Sequence, residues 1–384
     1  IQVHPLFFYE SIWCLLLLLI LLLSLLPRTT FAEETADAIC IEGETEGLDT
    51  DAVDAATEEM DAGVSFSDLL AEILSGEFDF TFANIKEKAL ELTFGELRMQ
   101  GRLLAQLVLI VILSAILKQC SDSFQGKNVG EMGFYVCYMV LIVAILTSFY
   151  SISQSVVERM RGLCGVFGAM VPIFLVLSAS SGNLTQGALM GPTLMGGATA
   201  LSVGISYVLI PAIQLSIALE MTDHISEKPI LGKFAELLRQ CISWGMKGAA
   251  MLFMLLLSLQ KIGGGALNGL AAKTAKIAVG AVLVVGGVMG GAVETAAAMA
   301  GTLKSGTLVA AVVLLLLLCL PLLIKLLVIL LVFRLTAAAA EFICEERLVE
   351  CIAAAGEYIG LLLGIVFLGE GMFFFSALLL LGGL

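Results

Sequence analysis

The chain has 384 residues, 59% of them hydrophobic, a mean hydropathy of +1.02 and a net charge of −14. That hydropathy excludes a soluble globule of this size and makes the bilayer the solvent for most of the chain. The charge is local: residues 33–82 carry 16 acids and no Lys or Arg, residues 1–32 net to zero, and residues 83–384 are left with +2.

Residues 1–32 read as a secretion signal. Trp13 to Leu26 is an apolar run of 14 residues, too short for a comfortable span and suited to a signal core. Pro27 ends it, and Thr30 and Ala32 place small residues before Glu33. The alternative is an uncleaved anchor; either one places residues 33–82 outside the cytoplasm. The segment 33–82 is acidic and poor in aromatics, so it is expected to be exported and disordered or loosely helical. Residues 83–102 mix Ile85, Leu90 and Phe94 with Lys86, Glu87, Lys88 and Glu91. They suggest an amphipathic helix lying at the interface.

Residues 103–384 form the expected membrane domain. Apolar runs mark spans at 103–117, 132–150, 162–178, 187–219, 242–259, 307–333 and 354–381. The polar stretch Ser151–Arg161 separates the second from the third. Pro211 falls inside the run 187–219 and is expected to kink it, and Pro321 is expected to break the run 307–333. Residues 262–305 are rich in Gly, Ala and Val. Gly286, Gly287, Gly290 and Gly291 there form two overlapping GxxxG pairs suited to close helix packing. The stretch 277–300 is equally open to a broken or re-entrant course. The expected fold class is all-α: a polytopic integral membrane protein of about seven transmembrane helices, after a signal and a short exported acidic segment.

An exported N-terminus places Lys118 and Lys127 in the cytoplasm, as the positive-inside rule prefers. Arg159 and Arg161 then fall on the outer side, against the rule.

The catalytic inventory is thin. The sequence has no HExxH and no Walker A motif, and its two histidines and nine cysteines form no zinc constellation. No enzyme activity, cofactor, metal or nucleic-acid partner is expected. Glu294, Lys325 and Glu370 lie inside apolar stretches, where charges usually face protein or water. They either pair with one another to fix helix register, line a polar path, or couple transport to an ion.

The order of several segments carries a resemblance. Gly95-Glu96-Leu97-Arg98 and Gly101-Arg102-Leu103-Leu104 open the first span, and Tyr138-Met139-Val140-Leu141-Ile142 lies in the second. Beyond these come Ala179-Ser180-Ser181-Gly182, Ser226-Glu227-Lys228, Leu237-Leu238-Arg239 and Lys273-Thr274-Ala275-Lys276. Over residues 83–384 the chain resembles the stage III sporulation protein AE family of endospore-forming bacteria. The resemblance implies a permease-like, multi-pass protein of the mother-cell membrane around the forespore, within a channel or secretion-like assembly. It implies as partners the other stage III A proteins, including a separate ATPase and ring-forming members, and stage II protein Q across the intermembrane space. It transfers no catalytic residue. A stand-alone secondary transporter and a structural platform anchoring exported rings are the rival readings.

Overall fold

The computed structural model describes residues 50–60, 64–75, 82–123, 127–180, 195–223, 232–255 and 290–382, all within the unit Asp49–Leu384. The expected signal, the start of the acidic segment and Gly286 and Gly287 lie outside the described residues. The described residues are helical, with no strand among them.

The first helices lie in the acidic segment, for which the composition suggests disorder or loose helix. Helix α1 is Asp51–Glu59 and α2 is Phe66–Ser75. Val53 and Thr57 bury one face of α1; Phe66, Leu69, Leu70 and Ile73 bury one face of α2. That spacing, three and four apart, is the stripe a helix needs to dock. Asp54 joins the two, accepting from the backbone N–H of Phe66 at 2.5 Å. Like charge on the outer face does not prevent folding when the inner face is apolar.

Helix α3, Phe82–Ser123, runs without a break through the expected interfacial segment and the first span. Helix α4, Lys127–Ser180, has 54 residues. At 1.5 Å per residue it is about 80 Å long, against about 30 Å of hydrocarbon. The expected second and third spans are therefore one helix, and the polar stretch between them is not a turn. The reason is periodicity. Ser151, Gln154, Glu158 and Arg161 share an exposed stripe, while Ile152, Val156, Met160, Leu163 and Phe167 are buried.

Helix α5, Met195–Asp223, contains a π-helical turn at Ile205–Leu209 just before Pro211. Proline supplies no N–H to the preceding turn, and the wider turn absorbs the mismatch without ending the helix. Helix α6 spans 232–255. Helix α7, Gly290–Glu341, continues through Pro321. A tight turn then leads to α8, Glu346–Gly382; Cys344 donates its N–H to the Ala340 carbonyl at 2.8 Å.

Helices α7 and α8 make the most extensive pairing, and α4 packs on both α3 and α8. Helix α1 lies on α4 and α2 on α7. Phe167, Phe174, Phe333, Phe373 and Tyr358 fill the core, with the Phe167 and Phe373 rings 5.8 Å apart. Among the described residues four helices are long and apolar enough to cross a membrane: Tyr135–Phe174, Met195–Asp223, Gly306–Glu341 and Glu346–Ala377. Gln100–Ile116 is a shorter apolar helix.

Candidate functional site

Two polar regions stand out against this apolar core. The first joins α5, α6 and α8. Arg239 on α6 donates through Nη1 to Glu357 Oε2 at 2.5 Å and through Nη2 to Glu220 Oε2 at 2.7 Å. Its guanidinium lies 4.7 Å from the centre of the Tyr358 ring. The Tyr358 hydroxyl donates to Glu220 Oε2 at 2.5 Å. Ser216 Oγ lies 2.7 Å from that hydroxyl and 3.1 Å from the Ala235 carbonyl. Burial works against the charge on Arg239, but Glu220, Tyr358 and Glu357 outweigh it, so its acidity is weaker than that of an ordinary arginine. One base faces two acids and a phenol, with its Nε buried and not hydrogen-bonded among the described residues. It fixes the register of three helices.

The second region is open. A cavity of about 670 Å³ lies between α1, α4 and α7. Arg159, Arg161 and Lys325 supply its positive charge; Glu59 and Glu158 lie at its exposed rim. Arg159 donates through Nη1 to the Met60 carbonyl at 3.0 Å. Arg161 donates to the Tyr207 hydroxyl at 3.2 Å and lies 5.6 Å from the centre of that ring. The π-helical turn of α5 carries Tyr207. Among the described residues, Lys325 Nζ reaches Ser155 Oγ, at 3.5 Å. Among the described residues, none of the three cations forms an ion pair.

The expected site residues divide accordingly. Lys325 lines the cavity and contacts Ser155; it does not pair with Glu370 among the described contacts. Glu370 is buried on α8, with neither carboxylate oxygen hydrogen-bonded, and its electrostatic neighbour is Arg159. Glu294 lies in the first turns of α7, and its side chain is outside the described residues. Gly290 and Gly291 open α7, and their packing is likewise outside the described residues.

Among the glycines with described packing, three on α8 lie four residues apart. A Cβ at Gly356 would lie 3.5 Å from Phe333 Cβ, one at Gly360 4.0 Å from Leu330 Cδ1, and one at Gly364 3.2 Å from Met246 Cε. Their four-residue spacing is itself a small-residue motif, and the sequence carried that signal. Glu220, Arg239, Glu357 and Tyr358 gave no such signal, because the pairing spans up to 138 positions.

A family model for stage III sporulation protein AE matches residues 64–383. The chain belongs to this family. The match takes in α2 through α8 and the whole Arg239 cluster. The chain is also similar to the stage III sporulation protein AE of Bacillus subtilis (strain 168), with 26% identity over 211 residues. That alignment covers 55% of this chain and about half, 53%, of the relative. No solved structure matches the chain. The resemblance seen in the sequence is borne out, and with it a sporulation role in a protein with membrane-length helices.

Proposed function

We propose that this stage III sporulation AE protein is a non-enzymatic, permease-like component of a channel or secretion-like assembly between mother cell and forespore. The observation that carries the reading is the family match over 64–383, on a chain with four span-length helices. It sits in the mother-cell membrane around the forespore, and a separate ATPase of the stage III A set provides energy. Its other partners are the ring-forming stage III A proteins and, across the intermembrane space, stage II protein Q.

The docking of α1 supports the orientation. Residues 33–100 are exported in this reading and 118–130 are cytoplasmic. Arg159 contacts Met60, so the middle of α4 accompanies the exported segment. The arginines that offended the positive-inside rule then serve that docked segment. Cysteine labelling at Asp51 and Ser121 should report opposite sides; labelling from the same side would end this topology.

The functional test is complementation in sporulating cells with a tagged chain. Late forespore gene expression should be restored, and ring-forming stage III A proteins should co-purify. Restoration without co-purification would favour the stand-alone transporter, for which the open basic cavity and buried Glu370 speak. Uptake into vesicles holding the purified chain alone would then decide for it.

A further inference from the structure

The cavity between α1, α4 and α7 has features of a binding site that helix packing does not require. Its volume, about 670 Å³, lies within the ~300–1,000 Å³ common for small-molecule sites. Arg159 and Lys325 line it and are half-buried, while the acids Glu59 and Glu158 are exposed. The inner part is therefore cationic and the rim mixed.

The cations keep capacity to bind. A guanidinium has five N–H donors and an ammonium three. Arg159 uses one hydrogen bond on Met60, Arg161 one on Tyr207, and Lys325 one long contact on Ser155. Ser155 directs its own hydrogen to the Ser151 carbonyl at 3.2 Å, so a lone pair faces Lys325. Glu370 acts electrostatically on Arg159 but forms no ion pair with it among the described contacts. In the Arg239 cluster the single base meets two carboxylates. Here, among the described residues, three bases form no ion pair, although Glu59 and Glu158 line the same cavity.

We propose that this cavity binds a phosphate-bearing group, with Arg159, Arg161 and Lys325 as its cationic ligands. Arginine forks and a lysine suit a tetrahedral dianion or diester, whose several oxygens can accept from all three. A headgroup phosphate of an anionic lipid and free phosphate share this chemistry. The exposed Arg161–Tyr207 pair at the rim suits the headgroup level of a bilayer, where tyrosine and arginine anchor. The site extends the function proposed above and does not depend on it.

The experiment uses the full chain purified in a neutral detergent. Thermal unfolding is followed with added phosphatidylcholine, with phosphatidylglycerol, or with inorganic phosphate. Phosphatidylglycerol or phosphate should raise the midpoint where phosphatidylcholine does not. Stabilisation by the lipid alone assigns a headgroup site; stabilisation by inorganic phosphate assigns a free-phosphate site. In Arg159→Gln and Lys325→Gln the concentration for half effect should rise about tenfold, the loss of one charge-assisted contact. Lys233→Gln removes the same charge from an exposed position on α6 and should leave it unchanged. Equal response in all variants, or no response to either probe, overturns the proposal. If neither cavity variant folds, native mass spectrometry of the unaltered chain decides. Retention of phosphatidylglycerol or phosphate above phosphatidylcholine supports the site, and equal retention refutes it.

Discussion

The Arg239 cluster and the Arg159–Lys325 cavity use the same residue types to opposite ends. In the cluster, one arginine meets two carboxylates, a tyrosine ring and, through Tyr358, a serine. In the cavity, two arginines and a lysine line one space and, among the described residues, take a carbonyl, a phenol and a serine hydroxyl as hydrogen-bond partners. A partly buried charge is tolerable when it is paired with opposite charge, and then its removal is destructive. A charge facing an open cavity keeps water as a partner, so its removal is mild. The contrast separates groups that hold the helices from groups left available to a ligand.

The largest expected effect tests the paired side. Arg239→Ala leaves Glu220 and Glu357 facing each other without a cation. The pairs are 20–29% exposed, so the loss should sit at about 2–3 kcal/mol, below the range for fully buried pairs. Arg159→Ala should lose less than about 1 kcal/mol, because the group gives up one hydrogen bond and remains wet. Thermal unfolding in detergent compares them. Equal losses would erase the distinction between the two regions.

The next effect concerns the helix at the cavity mouth. A Cβ at Gly162 would lie 2.8 Å from both Cγ and Sδ of Met60. Gly162→Leu should therefore drive Met60 from its seat and loosen α1 from α4. The overpacking is worth about 1–3 kcal/mol, confined to the docking of α1. Limited proteolysis should cut within 51–65 faster in the variant, while the Arg239 cluster keeps the remainder protected. Unchanged cleavage would mean that α1 is held by Val53 and Thr57 and not by this contact.

A smaller change is expected at Glu370. Its oxygens are buried without hydrogen-bond donors, which is a cost already present in the native protein. Glu370→Gln keeps the shape and removes the ionisable group, so stability should change by no more than about 1 kcal/mol. A loss of sporulation at normal protein level would then assign Glu370 to transport. A large fall in abundance would instead show that its interaction with Arg159 holds α8 on α4.

How much of this was legible depends on the range of the interaction. The all-helical membrane class comes from apolar runs, and the family from the order of short segments. The continuity of α4 was also written locally, in the stripe Ser151, Gln154, Glu158 and Arg161; its polarity resembled a loop although its period was helical. Helices α1 and α2 were hidden in the same way, by acids on their outer faces. The Arg239 cluster was not legible at all. Nothing local to Glu220, Arg239 or Tyr358 tells which distant partner each will meet. Lys325 was recognisable as a group in need of a partner, and the intramembrane acids were reasonable choices. Among the described contacts its partner is a serine on α4, beside the cavity.

That placement decides what a reversed charge at position 325 does, the smallest effect expected. Had Lys325 been paired with a buried acid, a glutamate there would face a like charge in low dielectric and lower the yield of folded protein by several kcal/mol. In the structure its neighbours across the cavity are Arg159 and Arg161, and the acids Glu59 and Glu158 are exposed. A carboxylate at 325 would exchange a repulsion from two guanidinium groups for an attraction, both weakened by water in the cavity. Lys325→Glu should therefore accumulate as well as Lys325→Met, with stabilities within about 0.5 kcal/mol of each other. Abundance in membranes and the unfolding midpoint measure this. A selective collapse of the glutamate variant would place an acid against Lys325 and make the cavity a paired site like the Arg239 cluster.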